Sequence, residues 1–424
     1  MPPAPMQRRS ARIAFSYPAF RRFQSARFFT VLATEMQSVA IGWQVYEITH
    51  RALDLGLVGL AQFLPSVLLF LIAGHAADRY DRRKLLVCCY AGYAACSGLL
   101  LLAAARHVRE VYPIYAILVL LGVVRSFSGP VSRAIQPQLV PPEHFANAVA
   151  WSSSIFQGAT ILGPALGGLI YAAARGPSAV YALGLVSGAI AVSATLRMRF
   201  AEKPRPREPI NSRTLLAGLR YIRRERLILG AISLDLFAVL LGGAVALLPV
   251  YAREILKTGP WGLGLLRTAP GVGAAATAVF VAHRPMRRAG IKMLCCVASF
   301  GVFTIVFGMS GNFSLSLVAL FLVGASDMVS VIVRAILIQI ATPDEMRGRV
   351  NAVDMIFIGT SNELGGFESG TTARIVGTVP AVVIGGIGAI VVTAACALLF
   401  PELRKLDELP SAENTREIAS PVSN

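Results

Sequence analysis

Two long apolar runs separated by a very short loop constrain the fold of this chain more than any other feature. The runs cover residues 55–73 and 85–105, and the loop 74–84 between them carries four cations and two aspartates. About 20 apolar residues, rising about 1.5 Å each, cross the roughly 30 Å hydrocarbon core of a bilayer. Because so short a loop cannot form a domain, the chain must turn back at once. The sequence therefore predicts a hairpin of two membrane helices around a basic loop.

The composition extends this prediction to the whole chain. Of its 424 residues, 55% are hydrophobic and only 15% are charged, whereas a soluble domain carries about 25% charged residues. A polytopic membrane protein is therefore predicted: an all-α integral membrane fold with twelve transmembrane helices in two pseudo-symmetric six-helix bundles. The predicted spans are 28–48, 55–76, 84–105, 112–132, 147–173, 177–197, 228–252, 261–283, 290–310, 314–340, 349–371 and 378–400.

Polar segments divide the chain into five predicted regions. A basic N-terminal tail, 1–27, contains a short interfacial helix around 17–27 and precedes the first bundle, 28–197. A central loop, 198–227, separates it from the second bundle, 228–400, and a polar tail, 401–424, is predicted to be disordered. The apolar run 28–48, which comes first in the chain, is too long for a signal peptide and contains Glu35, so we predict a retained helix.

The distribution of charge predicts the orientation of these regions. The chain has 40 Lys and Arg residues and a formal net charge of +17. With the N-terminus inside, the great majority of the cations fall in inside segments, which is the pattern of the positive-inside rule. Both termini and the central loop are therefore predicted to be cytoplasmic. The same distribution explains the basic charge without a nucleic-acid partner.

An internal repeat supports two equivalent halves. A group of residues that closes one apolar run and opens the following loop in the first half recurs in the second half. The two copies are Arg133, Ala134, Ile135, Gln138, Pro142 and Glu143, and Arg334, Ala335, Ile336, Gln339, Pro343 and Asp344.

Charged residues inside the predicted spans are the main functional candidates. Each costs about 2.5–3.5 kcal/mol at the bilayer centre, so it should face a cavity or another charge. Arg125 could bind an anionic substrate or tune a proton site, and a desolvated carboxylate could carry a proton. The predicted proton or substrate cavity comprises Glu35, Gln37, Gln44, Arg125, Asp235, Asp327 and Arg334. The alternative for each charge is a structural ion pair, most simply Asp327 with Arg334 on one helical face.

Several motifs resemble those of the major facilitator superfamily. The loop between the second and third spans resembles the signature loop of that superfamily, with Asp81 standing where a glycine is usual; aspartate can cap such a turn. Arg125 resembles the fourth-helix arginine motif, and the run from Gly158 to Gly168 resembles the glycine-proline motif of proton-driven exporters. The segments 341–350 and 362–370 resemble the enterobactin-exporter branch. The loop residues concerned are Gly74, Asp78, Arg79, Arg82, Arg83 and Lys84.

The resemblance and the residues together predict a conformational latch. Asp78 would meet the N-terminal end of the eleventh helix, where the helix dipole favours a carboxylate by roughly 0.3–1 kcal/mol. The loop arginines would extend the contact to acidic residues of that helix. The predicted latch consists of Gly74, Asp78, Arg79, Arg82, Arg83 and Asp354. The alternative is that these cations only obey the positive-inside rule.

Two glycine-rich segments are predicted to shape helix packing. In the fifth span, Gly163, Pro164, Gly167 and Gly168 kink and thin the helix, so that it could rock against a partner from the other half. The alternative is ordinary packing of membrane glycines. In the eleventh span, Glu363 and Glu368 are predicted to lie at the interface with the second helix.

The function predicted from these features is secondary active export of a small organic molecule, siderophore-like or drug-like, by alternating access and proton antiport. No phosphate-binding Gly-x-x-x-x-Gly-Lys-[Ser/Thr] loop occurs, so ATP is not the energy source within this chain. No enzyme activity, metal or cofactor is expected, and the partners are the substrate, the proton and the lipid bilayer. A monomer in a bacterial inner membrane is expected. The alternatives are an importer or facilitator of the same fold, or a membrane sensor.

Overall fold

The computed structural model describes residues 12–199, 212–282 and 288–406. Over these ranges the chain is helical and contains no β-strand. Short 3₁₀ segments lie at Ile13–Ser16, Gln136–Gln138, Pro142–His144 and Ala244–Leu247, and a π-helical turn at Tyr251–Ile255. The α-helices are α1 (Pro18–Thr49), α2 (Ala52–Leu68), α3 (Phe70–Arg79), α4 (Arg82–Ala105), α5 (Tyr112–Ile135), α6 (Phe145–Ala174), α7 (Ser178–Leu196), α8 (Ser212–Arg224), α9 (Arg226–Gly242), α10 (Leu248–Val250), α11 (Gly259–Ala282), α12 (Ala289–Met309), α13 (Phe313–Ala341), α14 (Asp344–Val376), α15 (Thr378–Leu399) and α16 (Pro401–Arg404).

The helices account for the predicted membrane spans. In the described ranges, nine segments are long and apolar enough to cross a bilayer, and α2 is a shorter apolar helix. Helices suit this setting because they satisfy their backbone hydrogen bonds internally, where lipid offers no partner. The twelve predicted spans correspond to α1, α2 with α3, α4, α5, α6, α7, α9, α11, α12, α13, α14 and α15.

Several predictions differ from the structure. The predicted central loop 198–227 contains α8, and the tail predicted to be disordered from residue 401 begins with α16, whose Leu403 is buried. Residues 200–211 and 407–424 of these two regions lie outside the described residues. The separate interfacial helix and the first membrane span form one continuous helix, α1. The second span is interrupted at Leu69, one turn after Pro65, which has no backbone N–H to donate. The seventh span ends as an α-helix at Gly242 and continues through 3₁₀ and π turns. Two successive glycines, Gly242 and Gly243, permit this change of geometry.

The chain forms two compact units, and the division between them falls within α1 and within α2. Unit 1 comprises Met1–Ile41 and Leu64–Pro209, and unit 2 comprises Gly42–Phe63 and Ile210–Asn424. In unit 1, buried apolar side chains from the start of α1 pack against α4, α5 and the segment after α7. This core includes Phe20, Phe23, Leu86, Tyr90, Ile135 and Met198. In unit 2, the core joins α9, α12, α13 and α15 through Ala231, Leu234, Met293, Val297, Val333, Leu337 and Ala389.

Side chains cap the starts of α4 and α13. Asp81 lies at the N-cap of α4 and accepts a hydrogen bond of 3.0 Å from the backbone N–H of Lys84. Asn312 caps α13 in the same way, with a 3.1 Å bond from Leu315 N. Each cap satisfies a backbone donor that the helix itself cannot pair. Asp81 therefore suits a helix start in this loop, at the position where the family signature usually has glycine.

Candidate functional site

A buried ion cluster in unit 2 joins three helices. Asp235 on α9 and Arg334 on α13 are 5% and 4% exposed, and the Arg334 guanidinium donates through Nη1 to Asp235 Oδ2. Its Nε lies 3.6 Å from Oδ1 of Asp354 on α14. Ser330, one turn before Arg334, donates from Oγ to Asp235 Oδ1 at 3.3 Å. One guanidinium therefore holds carboxylates from two other helices.

Asp327 completes the cluster. It lies two turns before Arg334 on α13, close enough to both Asp235 and Arg334 to interact with them electrostatically. The predicted ion pair of Asp327 with Arg334 is replaced, among the described residues, by pairs of Arg334 with Asp235 and Asp354. Three carboxylates therefore surround one arginine. Fully ionised, the cluster would carry a net charge of −2.

Helical spacing and core packing explain why these side chains meet. Asp327, Ser330 and Arg334 are separated by three and four residues, so they lie on one face of α13. Apolar residues of α9 and α13 pack in the same core and hold the two helices together. Because an uncompensated charge in a water-poor setting is costly, a proton on one carboxylate would stabilise the cluster.

The candidate residues of unit 1 lie in different settings. Arg125 is exposed in the middle of α5. Beside it, the hydroxyl groups of Tyr93 and Ser128 share a 3.1 Å hydrogen bond. Glu35 is half-buried on α1, whereas Gln37 is buried and donates to Ser97 Oγ at 2.7 Å. Gln37 thus contributes to packing between α1 and α4, and Arg125 is the candidate with an accessible charge.

The glycines of α6 lie against α1. A Cβ atom on Gly163 would collide with Cβ of Glu35, and one on Gly167 would lie 2.6 Å from the carbonyl oxygen of Met36. Pro164 and Gly168 are also buried on this helix. The sequence predicted that these glycines approach a helix of the other half. In the structure, Gly163 and Gly167 closely approach α1 within unit 1.

Replacing Gly167 by alanine is expected to destabilise the protein by about 1–3 kcal/mol, because the new methyl group meets backbone atoms that cannot rotate away. Gly158→Ala on the same helix is the matched control, since nothing lies within 4 Å of its added Cβ. Alanine there should be neutral or stabilising by up to about 1 kcal/mol. Thermal unfolding of the two purified variants in one detergent measures the difference. Equal unfolding temperatures would contradict the proposed tight contact.

The glycine-rich part of α14 lies against the first half of α2 in unit 2. A Cβ on Gly56 would lie 3.0 Å from Cα of Phe367, and one on Gly59 would lie 2.9 Å from Oε2 of Glu363. Glu368, one turn further on, accepts a 2.7 Å hydrogen bond from Thr372 Oγ1. The structure thus brings Glu363 next to the second helix, while the described partner of Glu368 is on α14 itself. Gln44, also in unit 2, is buried.

Two arginines of the loop 74–84, Arg82 and Arg83, donate to backbone carbonyl oxygens within unit 1. Arg82 is buried and donates from Nε to the carbonyl oxygen of Ala77 at 3.1 Å. Arg83 donates to the carbonyl oxygens of Thr195 and Leu196 at the end of α7, which stabilises unpaired carbonyls of that helix. Arg79 is exposed, and no atom lies within 4 Å of a Cβ added to Gly74. The side chain of Asp78 lies outside the described part of the structure, so the latch stays a prediction.

The sequence did not assign two residues, Asp354 and Ser330, to a common site with Asp235 and Arg334. Asp354 was predicted to belong to the latch, and its described ion pair is with Arg334. Ser330 was not considered, although its position one turn before an intramembrane arginine was a usable signal. The pairing of Tyr46 with Glu254, and the stacking of Arg253 over Trp43 at 5.8 Å, also appear only in the structure.

Two curated relatives resemble the chain over nearly its full length. The enterobactin exporter EntS of Citrobacter koseri is 28% identical over 410 residues, which cover 93% of this chain and 95% of the relative. The protein of the same name from Escherichia coli O1:K1 is 27% identical with the same coverage.

Solved structures show the same fold at low sequence identity. The nucleoside transporter NupG has a TM-score of 0.68 at 12% identity and matches 90% of this chain and 99% of its own. A bacterial homologue of the human lysosomal transporter Spinster has a TM-score of 0.70 at 11% identity, covering 93% and 99%. The family model described as transmembrane secretion effector matches residues 10–423. This chain therefore belongs to the transmembrane secretion effector family and is a membrane transporter of the major facilitator superfamily, not an enzyme.

Proposed function

We propose that this transporter exports a small organic molecule in exchange for protons. The observation that carries the proposal is the cluster of three carboxylates around the buried Arg334, of which Asp235 is itself buried. A net charge of −2 in this setting is unfavourable, so the cluster has a physical reason to bind a proton. A proton is thereby a natural coupling ion for a chain whose sequence contains no ATP-binding loop.

Asp327 is the proposed proton carrier. Asp235 and Asp354 are both ion-paired with Arg334, which leaves Asp327 as the carboxylate whose charge is least compensated within the cluster. Protonation of Asp327 would lower the repulsion on Asp235, and deprotonation would raise it. Since Asp235, Arg334 and Asp354 belong to three helices, a change in their pairing can change how α9, α13 and α14 pack. This is the proposed link between proton binding and alternating access.

Arg125 is the proposed contact for an anionic group on the substrate. It is an exposed cation in the middle of an apolar helix, where a charge is costly unless it faces water, a ligand or another protein group. Both curated relatives are named enterobactin exporters. A siderophore-like compound with acidic oxygen atoms would suit such a cation, and we propose this substrate class, with a drug-like organic anion as the broader form of the proposal.

We further propose a monomer in the bacterial inner membrane, with both termini in the cytoplasm. The cations in the segments around the helices support this orientation through the positive-inside rule. Two six-helix bundles, 28–197 and 228–400, would alternate around the substrate site. The loop 74–84 and the start of α14 would form the latch that closes the cytoplasmic side.

Inverted membrane vesicles test the direction and the coupling together. With an acidic lumen, vesicles that contain this protein are expected to accumulate iron-free enterobactin, and ammonium, which collapses the pH gradient, should release it. Vesicles from cells without the protein are the control. A facilitator would equilibrate the compound without accumulation, and an importer would not concentrate it in the lumen under this gradient. Either of these results would overturn the proposal of proton-driven export.

A further inference from the structure

A groove in unit 1 combines a basic end with an apolar wall. It has a volume of about 770 Å³ and lies where α1 begins and α7 ends. Arg21 and Arg22 of α1 and Arg197, directly after α7, line one end. Val186 and Ile190, one turn apart on α7, line the wall and are 53% and 38% exposed. A charged end and an exposed apolar wall within one groove match an amphiphilic ligand.

The charge at the basic end is not balanced by acids within the groove. All residues that line it are in the described part of the chain, and none of them is a carboxylate. Arg22 donates to the carbonyl oxygen of Arg197, and Arg83 donates to those of Thr195 and Leu196. The carbonyl oxygens at the end of α7 are thus already paired with guanidinium groups. The guanidinium groups of Arg21 and Arg197 therefore face the groove as binding groups for an added anion.

The position of the groove favours a lipid over a free anion. The ends of membrane-spanning helices lie near the lipid headgroups, and exposed apolar residues further along such a helix meet acyl chains. A free phosphate would use the arginines but gain nothing from Val186 and Ile190. A zwitterionic lipid would place its own positively charged amine among three arginines, which would repel it.

We propose that this groove binds one anionic phospholipid, with its phosphate at Arg21, Arg22 and Arg197 and one acyl chain along Val186 and Ile190. A basic residue near an anionic lipid surface strengthens binding about fivefold. Removing two of the three arginines should therefore weaken binding by about 25-fold. In the predicted orientation the lipid occupies the cytoplasmic leaflet.

Native mass spectrometry of the full chain in detergent tests the site. Phosphatidylglycerol and phosphatidylethanolamine with identical acyl chains are titrated against the parent protein and the double variant Arg21→Gln/Arg197→Gln. Arg22 is kept because it donates to the backbone at the end of α7. The matched control is Arg223→Gln/Arg224→Gln, which removes the same charge from the exposed end of α8 in unit 2. We expect phosphatidylglycerol to bind more tightly than phosphatidylethanolamine, and only the groove variant to lose this preference.

A second variant, Val186→Trp, keeps every charge and places a larger side chain in the part of the groove beside the apolar wall. It should also weaken phosphatidylglycerol binding, whereas a site for free anions would be unaffected. The proposal is overturned if the groove variant binds phosphatidylglycerol as tightly as the control. It is also overturned if both lipids bind equally, or if inorganic phosphate displaces the lipid at equal concentration. Because binding is measured without transport, a failure here is distinct from a failure of proton-driven export.

Discussion

Replacement of Arg334 by glutamine is expected to lower the free energy of unfolding by about 3–5 kcal/mol, because it leaves buried carboxylates without their cation. Arg334 is 4% exposed and pairs with Asp235, which is 5% exposed, and with Asp354. The size of the effect comes from the carboxylates that stay behind more than from the lost attraction. Thermal unfolding in detergent measures this loss of stability. Unfolding is monitored by the reaction of buried cysteine thiols as they become exposed; Cys89, Cys96 and Cys396 are buried.

An exposed ion pair of the same unit provides the control. Arg226 lies 3.8 Å from Glu402, and the two side chains are 72% and 42% exposed. Arg226→Gln should change stability by less than about 1 kcal/mol, since solvent already screens this pair. The double variant Asp235→Asn/Arg334→Gln should regain part of the stability that Arg334→Gln loses, because one uncompensated carboxylate is removed. If Arg334→Gln unfolds like the parent protein, the cluster does not have the energetic role assigned to it.

Asp327→Asn is expected to abolish accumulation of substrate against a gradient while the protein stays folded. With one proton exchanged per substrate molecule, a gradient of about one pH unit supports about tenfold accumulation. Asparagine keeps the size of the side chain but cannot exchange a proton. The variant should therefore equilibrate the substrate without concentrating it. Inverted vesicles with an acidic lumen, incubated with external iron-free enterobactin, give the ratio of luminal to external substrate directly.

Asp54→Asn is the matched control for this experiment. Asp54 is another buried carboxylate of unit 2, but it lies at the start of α2 and pairs with Arg51 at 3.6 Å. Its replacement should leave the accumulation ratio close to that of the parent. Counterflow, which needs no proton gradient, should persist in Asp327→Asn. Full accumulation by this variant would exclude Asp327 as the proton carrier.

Most of the fold followed from the sequence because the bilayer imposes strong rules. An apolar run of sufficient length must form a helix, so the spans could be counted without tertiary information. The boundary errors in the second and seventh spans occurred where local backbone geometry departs from a regular helix. Leu69 and the Gly242–Gly243 pair interrupt apolar runs that hydrophobicity alone reads as continuous.

The candidate site was only partly predictable. Its charged members were visible as costly residues in apolar runs, and their cost alone predicted that they would be paired or functional. The choice of partner was not visible. Spacing suggested Asp327 with Arg334, since both lie on one helix, but the ion pairs of Arg334 join α13 to α9 and α14. A contact between residues about a hundred positions apart depends on helix packing, which periodicity does not encode.

The sequence alone determined that this chain is a helical membrane protein, because apolar length acts locally along the chain. The resemblance of its motifs indicated the major facilitator superfamily. Only the tertiary structure decided which charges share a buried cluster and which arginines cap α7. It also decided which arginines line a groove beside exposed apolar residues. The physical reason is that these properties depend on which helix faces meet and on how much water they exclude. Tertiary packing decides which helix faces meet and how much water they exclude, and residues distant in sequence contribute to both.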